Sequence, residues 1–206
     1  MHTKKTRPLL CLLLAALILL LPACSRDESG SGSGEDKGET LLPISVNGKE
    51  IRVGETTVQT LLDEGFDVSW VDEDYNRIVV DPSTELEAES YYSGLSMKVS
   101  DNMSFSISLV TDAEAVPLGQ AVIARLEVHM QAEDDKSVLE TISFDGVPVT
   151  ELTREKAGEK YPDWTGNEVM WLKYGLEYKY SLDFDMSTTI LSGFTVERVY
   201  DVDWDS

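Results

Sequence analysis

Two five-residue stretches, ISVNG at 44–48 and ISFDG at 142–146, constrain this chain more than any other feature. Each sets an Asn-Gly or Asp-Gly pair beside alternating apolar positions, the chemistry of a two-residue hairpin turn whose central residues both take positive φ. After the first turn, Thr56 or Thr57 can cap a short helix bearing Val58, Leu61 and Leu62 on one stripe, and Gly65 can end it in the left-handed conformation. Strand-like runs follow at Val68–Val71, Arg77–Asp81, Leu95–Ser100, Ser104–Thr111 and Ala121–Met130. After the second turn come a helix over roughly Thr153–Lys160 and strands at Val169–Tyr174, Glu177–Asp185 and Thr189–Val202. In Glu177–Asp185 the residues Tyr178, Tyr180, Leu182 and Phe184 fall on one face and polar residues on the other, which predicts a sheet with one wet side.

The two parts look like copies. Ile44–Gly48 matches Ile142–Gly146 at an offset of 98, and Ile51 meets Val149 at the same spacing. At an offset of 73, Ser108-Leu109 matches Ser181-Leu182 and Arg125-Leu126 matches Arg198-Val199. Unequal offsets are what an insertion in the first copy produces, and the unmatched stretch around Phe66–Gly94 is its predicted place. The expected fold class is α+β: two related units, residues 41–131 and 132–206, each a hairpin, a short helix and an antiparallel sheet.

Ahead of these units, Lys4, Lys5 and Arg7 precede an apolar run from Leu9 to Leu21. Thirteen helical residues rise only about 20 Å, short of a roughly 30 Å hydrocarbon core, so residues 1–23 read as an export signal. The run ends in Leu21-Pro22-Ala23-Cys24, which resembles the lipobox of bacterial lipoproteins. That resemblance implies cleavage before Cys24 and a diacylglycerol thioether on its sulfur, with the protein held at the extracytoplasmic face of the cell membrane by its fatty chains. Residues 24–40 then comprise the lipidated cysteine and a Gly/Ser/acidic stretch with no apolar side chain able to build a core, the composition of a flexible tether.

Only Cys11 and Cys24 exist, so residues 25–206 have no thiol, no disulfide and no cysteine nucleophile. Removal of the signal leaves 14 basic against 38 acidic side chains, a net charge of −24 with histidine neutral. Such a field repels phosphate backbones, and nucleic acid is not an expected partner.

Catalytic patterns are sparse. His129 is the one histidine after Cys24 and lies in an alternating strand, and Ser100-Asp101-Asn102 reads as a hairpin turn. Asp72–Asn76 begins like a calcium loop but puts Arg77 where glycine is needed and Ser83 where a bidentate Glu is needed. Asp201, Asp203 and Asp205 alternate at the end of the chain and read as a solvated tail, with cation binding left open. No cofactor and no metal site is expected. Trp70, Tyr75, Tyr91 and Tyr92 fall in or near the suspected insertion, on expected turns and loops. Trp171 and Tyr174 have opposite parity on one strand, so one of them faces solvent. Loop aromatics on a rigid β scaffold are frequent anchors of binding surfaces, which makes Trp70, Tyr75, Tyr91, Tyr92 and Trp171 the candidate ligand-binding residues.

A hairpin, a short helix and a meander, twice, behind a lipobox and tether, resembles surface lipoproteins of clostridia-type bacteria. The element order is also similar to β-lactamase inhibitory protein and to small outer-membrane assembly lipoproteins, whose helix-plus-sheet units grip other proteins. The expected function is a lipid-anchored, non-enzymatic module that captures a protein, peptide or glycan. A hydrolase using two carboxylates and an accessory subunit of an envelope complex are the alternatives, and oligomeric state is left open.

Overall fold

The computed structural model describes residues 39–72, 74, 76–131 and 134–200. The expected signal, Cys24, nearly all of the tether, Tyr75 and the Asp201–Asp205 series lie outside the described residues. The described chain is dominated by antiparallel sheet, with three short helices.

Both hairpins form as their turn residues require. Strand β1 (Ile44–Val46) turns into β2 (Lys49–Ile51) through Asn47 at φ 53° and Gly48 at φ 75°. Strand β10 (Ile142–Phe144) turns into β11 (Val147–Pro148) through Asp145 at φ 47° and Gly146 at φ 75°. The two hairpins then join: β1 pairs antiparallel with β10 about Ser45 and Ser143, giving a four-stranded sheet in the order β11-β10-β1-β2. Helix α1 (Val58–Asp63) is capped by Thr57, whose hydroxyl accepts from Thr60 N, and Gly65 follows it at φ 86°. Helix α3 (Arg154–Lys160) is capped the same way by Thr153, which accepts from Lys156 N. Between them lies α2 (Lys136–Leu139), a single turn capped by Asp135.

The remaining principal strands are β3 (Asp67–Val71), β4 (Arg77–Val79), β6 (Tyr91–Lys98), β7 (Ser104–Val110), β9 (Val122–His129), β12 (Thr165–Gly166), β13 (Met170–Tyr174), β14 (Tyr178–Phe184) and β15 (Leu191–Arg198). They form one nine-stranded sheet in the order β12-β13-β14-β15-β9-β7-β6-β3-β4. A separate pair joins β5 (Glu85–Leu86) to β8 (Val116–Pro117). Residues 41–131 and 132–200 therefore share both larger sheets, with β9 hydrogen-bonded to β15 at the join.

A hydrogen-bond pattern recurs across that join. Val58 N donates to Ala121 O and Ile123 N to Thr56 O; likewise Arg154 N donates to Thr189 O and Leu191 N to Leu152 O. Each half also has a bulge, where the register steps between Ser108 and Leu109 past Ala124, and between Asp183 and Phe184 past Ser192. These correspondences run at offsets of 96 for the helix starts, 75 for β7 against β14, and 68 for β9 against β15. The single offset of 73 expected for the later strands is thus replaced by two. For β7 against β14 the slip is two residues, which keeps every side chain on its own face, so the match Ser108-Leu109 to Ser181-Leu182 preserved the pattern while missing the register; for β9 against β15 it is five, which puts Arg125 and Arg198 on opposite faces, and that match is not structural.

The small sheet covers one face of the large one. Phe144 is fully buried between them, with its ring 5.4 Å from Phe194, 6.2 Å from Tyr161 and Tyr180, and 6.5 Å from Trp164. The alternating Tyr178, Tyr180, Leu182 and Phe184 all point into this core, as expected from their spacing. No helix among the described residues is long and apolar enough to cross a membrane.

Candidate binding surface

The other face of the nine-stranded sheet carries the residues that alternate with those of the core. Its composition follows from the register, because directly opposed residues share a face. One line runs from Val79 through Ser69, Ser96, Ser106, Glu127, Thr195 and Ser181 to Leu172, crossing eight strands. Seven strand spacings make it about 34 Å long. Five of those eight positions are Ser or Thr; Ser106 is exposed, Thr195 and Ser181 are half-buried, and Ser69 and Ser96 are buried at 7% and 8% exposure. Ser104, half-buried, and Ser108, buried, continue the row on β7.

Charged residues frame this row. Asp67, Glu127, Asp183 and Glu197 share the face with Arg77, Lys98, Arg125 and Lys179, so it is charge-balanced on a chain whose net charge is −21. At the join, Arg125 Nη2 donates to Glu127 Oε2 at 2.8 Å, and Glu127 Oε1 lies 2.8 Å from His129 Nε2. His129 itself is 71% exposed at the side chain. Arg77 reaches over from β4 and donates to Ser104 Oγ at 2.7 Å. Burial pushes the Asp183 carboxyl above the usual carboxylate value, against the hydrogen bond from Ser181 and the attraction of His129.

The aromatic candidates occupy other places. Trp70 lies on β3, inside the run Val68–Val71 read as a strand, whereas Tyr91 and Tyr92 lie on β6 and are strand residues, not the loop residues expected. The cause is Gly94 at φ 83°, where a bulge between Tyr92 and Leu95 interrupts the alternation and makes the start of β6 look like a loop in sequence. Trp70 and Tyr92 meet edge to face at 6.4 Å and pack, half-buried, against the core. The Tyr92 hydroxyl accepts from Glu87 N at 2.7 Å, fastening the preceding segment. Tyr91 is 37% exposed. Trp171 sits on β13, six strands away from β3, under the Arg154 guanidinium at 4.9 Å, and its indole N–H donates to Tyr161 O. The structure therefore brings Trp70 and Tyr92 together and leaves Trp171 about 29 Å across the sheet from them. Of the Trp171/Tyr174 pair, Tyr174 is the one in solvent.

A groove of about 560 Å³ lies at the far end of β15, lined by Met130, Leu139, Val149, Ile190 and Asp185 among others. Asp185 accepts from both N–H and hydroxyl groups of Ser187 and Thr188, which hold its pKa at about 2. A carboxylate so fully engaged builds the β14–β15 turn and is unsuited to donate a proton at neutral pH. Asp72 plays the same part in the β3–β4 turn, accepting from Asp74 N, Asn76 N and Asn76 Nδ2. Among the described residues no group of three metal-ligating side chains comes together.

Comparison with protein-family models, with curated proteins and with solved structures finds no match to this chain. The hydroxyl-lined face was not among the sequence candidates. Its signal was the polar half of each alternation, as in Ser104, Ser106 and Ser108, which carries little information until the register places the strands side by side.

Proposed function

We propose that this protein is an extracytoplasmic binding lipoprotein, anchored in the cell membrane through acylated Cys24, which captures a protein, peptide or glycan and has no catalytic role of its own. The observation that carries the reading is the sheet face opposite the core: a row of small hydroxyl side chains, exposed at Ser106 and half-buried at Thr195 and Ser181, with equal numbers of acids and bases around it on an otherwise acidic molecule. Outside it, excess negative charge disfavours anionic contacts. The basic start, the apolar run and the LPAC sequence support the anchor. The recurring bridges, caps and bulges support the reading of the chain as two related units sharing their sheets.

Two measurements test this. The mass of the amino-terminal peptide from purified membranes should show Cys24 as the first residue, bearing acyl chains; an intact leader or an unmodified Cys24 overturns the anchor. For binding, the protein is recovered from detergent-solubilised membranes and applied to a glycan array, beside a Ser106→Arg/Thr195→Arg variant. The substitutions lie on that row and should alter stability by only about 0.5 kcal/mol or less each. Loss of a retained partner or glycan from the variant is expected. Equal retention by both proteins refutes that face as the binding surface.

A further inference from the structure

We propose that the turn between β13 and β14, residues Tyr174-Gly175-Leu176, rests in the interfacial layer of the bilayer that holds the anchor. This inference depends on the lipid-anchor reading. Leu176 is 93% and Tyr174 74% exposed, a branched apolar side chain and an amphipathic ring flanking the glycine of one tight turn. Scattered single apolar residues on a surface need no explanation, but this pair is marked out by where the chain enters the fold. Glu39, the first described residue, is bound to that same turn. Its carboxylate pairs with Lys173 Nζ, and its Oε2 accepts from Glu177 N at 2.9 Å and from Tyr178 N at 3.0 Å. The carboxylate lies so close over Gly175 that a Cβ there would have no room.

The chain from Cys24 thus arrives beside Tyr174 and Leu176. Fourteen residues, 25–38, lie between Cys24 and Glu39. A solvated coil of that length, as its composition predicts, spans about 20 Å on average and about 50 Å at most. Among the described residues the other strongly exposed apolar side chains lie away from Glu39: Ile78 and Val79 on β4, seven strands from β13 and about 34 Å farther across the sheet, and Met186 in the turn at the opposite end of β14. The anchor therefore holds the Tyr174–Leu176 turn at high local concentration against the membrane, and a weak insertion of two side chains suffices to orient the domain. The charge around the turn is mixed: Lys173 is neutralised by Glu39, and Glu177 and Lys179 offset each other. The excess acid elsewhere makes docking stronger on zwitterionic than on anionic lipid.

Residues 25–206 contain no cysteine, so single nitroxide labels can be placed by Glu177→Cys, next to the turn, and by Val79→Cys, at the opposite edge. Each labelled protein is examined in two forms: the lipidated protein reconstituted in phosphatidylcholine vesicles, and the full mature chain with Cys24 replaced by a hexahistidine segment held on nickel-chelating lipid in the same vesicles. Flotation confirms attachment in both. On attachment, the label at 177 should gain accessibility to oxygen and lose it to a water-soluble nickel complex. The label at 79 should not change, and Tyr174→Ser/Leu176→Ser should abolish the change at 177 while flotation persists. Replacing part of the phosphatidylcholine with phosphatidylglycerol should weaken the effect. Unchanged accessibility at 177 in the hexahistidine-held form overturns the docking whatever the state of Cys24. Docking in that form, with no acyl chain on the cellular protein, overturns the anchor and leaves the turn's affinity for bilayers standing.

Discussion

Replacing Glu39 by Gln tests whether the amino-terminal end of the domain is locked to its sheet by charge. The Glu39 side chain is only 15% exposed and accepts from two backbone N–H groups while pairing with Lys173. Glutamine preserves the size and one oxygen acceptor but removes the charge. Turning two charge-assisted hydrogen bonds into neutral ones costs about 1 kcal/mol each, and the lost pairing with the half-buried lysine adds a fraction of that, so a loss of about 2–3 kcal/mol is expected. At roughly 2–4 °C per kcal/mol for a domain of this size, Tm should fall by about 5–10 °C. The dependence on pH is the sharper criterion. Burial pushes the Glu39 carboxyl up, but the hydrogen bond from Lys173 and the N–H groups of Glu177 and Tyr178 outweigh it and hold it below the usual value of 4.5. An acid with a depressed folded-state pKa contributes stability that is complete above 4.5 and disappears as pH falls through the depressed value. The gap between wild type and Glu39→Gln in calorimetric melts should therefore be constant from pH 7 to about pH 5 and close below it. Gly175→Ala, which evicts the carboxylate, should lower Tm in the same sense. Identical melts at pH 7, or a gap that persists undiminished to pH 3, would refute the argument.

Three further perturbations bear on the packing. Phe144→Ala empties the contact between the two sheets and should cost about 3–5 kcal/mol, read as a lower urea midpoint at unchanged m value; a loss under 1 kcal/mol would mean that the sheets do not pack through this ring. Gly193→Ala puts a Cβ 2.8 Å from Val128 O at the β9–β15 join, a backbone atom with little freedom to yield, and should destabilise by about 1–3 kcal/mol in the same assay. Wild-type stability in that variant would show the join to be looser than described. Burial raises the pKa of Asp183, so the folded state holds its proton more tightly than the unfolded state and loses stability as pH rises past the usual 3.8 and through the raised value. Asp183→Asn should accordingly melt higher than wild type at pH 7 and lose that advantage below about pH 3.8, and a variant that melts lower at pH 7 contradicts this.

Local chemistry was the legible part of the fold. Asn47-Gly48 and Asp145-Gly146 determine their own turns, Thr57 and Thr153 their own caps, and the Tyr178–Phe184 alternation its own buried face, because each depends on neighbours in sequence. The pairing of β1 with β10 depends on residues 98 positions apart, and nothing in either hairpin names its partner. Two-residue strands such as β5, β8 and β12 lie below the length at which a period can be read. The α2 turn was announced only by Asp135, one cap without a stripe. Gly94 concealed the beginning of β6, and with it the strand positions of Tyr91 and Tyr92. The face opposite the core was hidden for the same reason as the pairing: serine at alternate positions becomes a row only when five or six strands are laid in register.

The union of the two hairpins also has a consequence in time. A chain is made from its amino end at about 5–20 residues per second, so β1 is complete some 5–20 s before the strand that must lie beside it has been made. Through that interval β1 has β2 on one side and bare N–H and C=O groups on the other, and β9 waits in the same way for β15. The first half of this molecule is thus born with two sticky edges that only its own second half can close, and whatever escorts the nascent chain must keep them from finding a neighbour first.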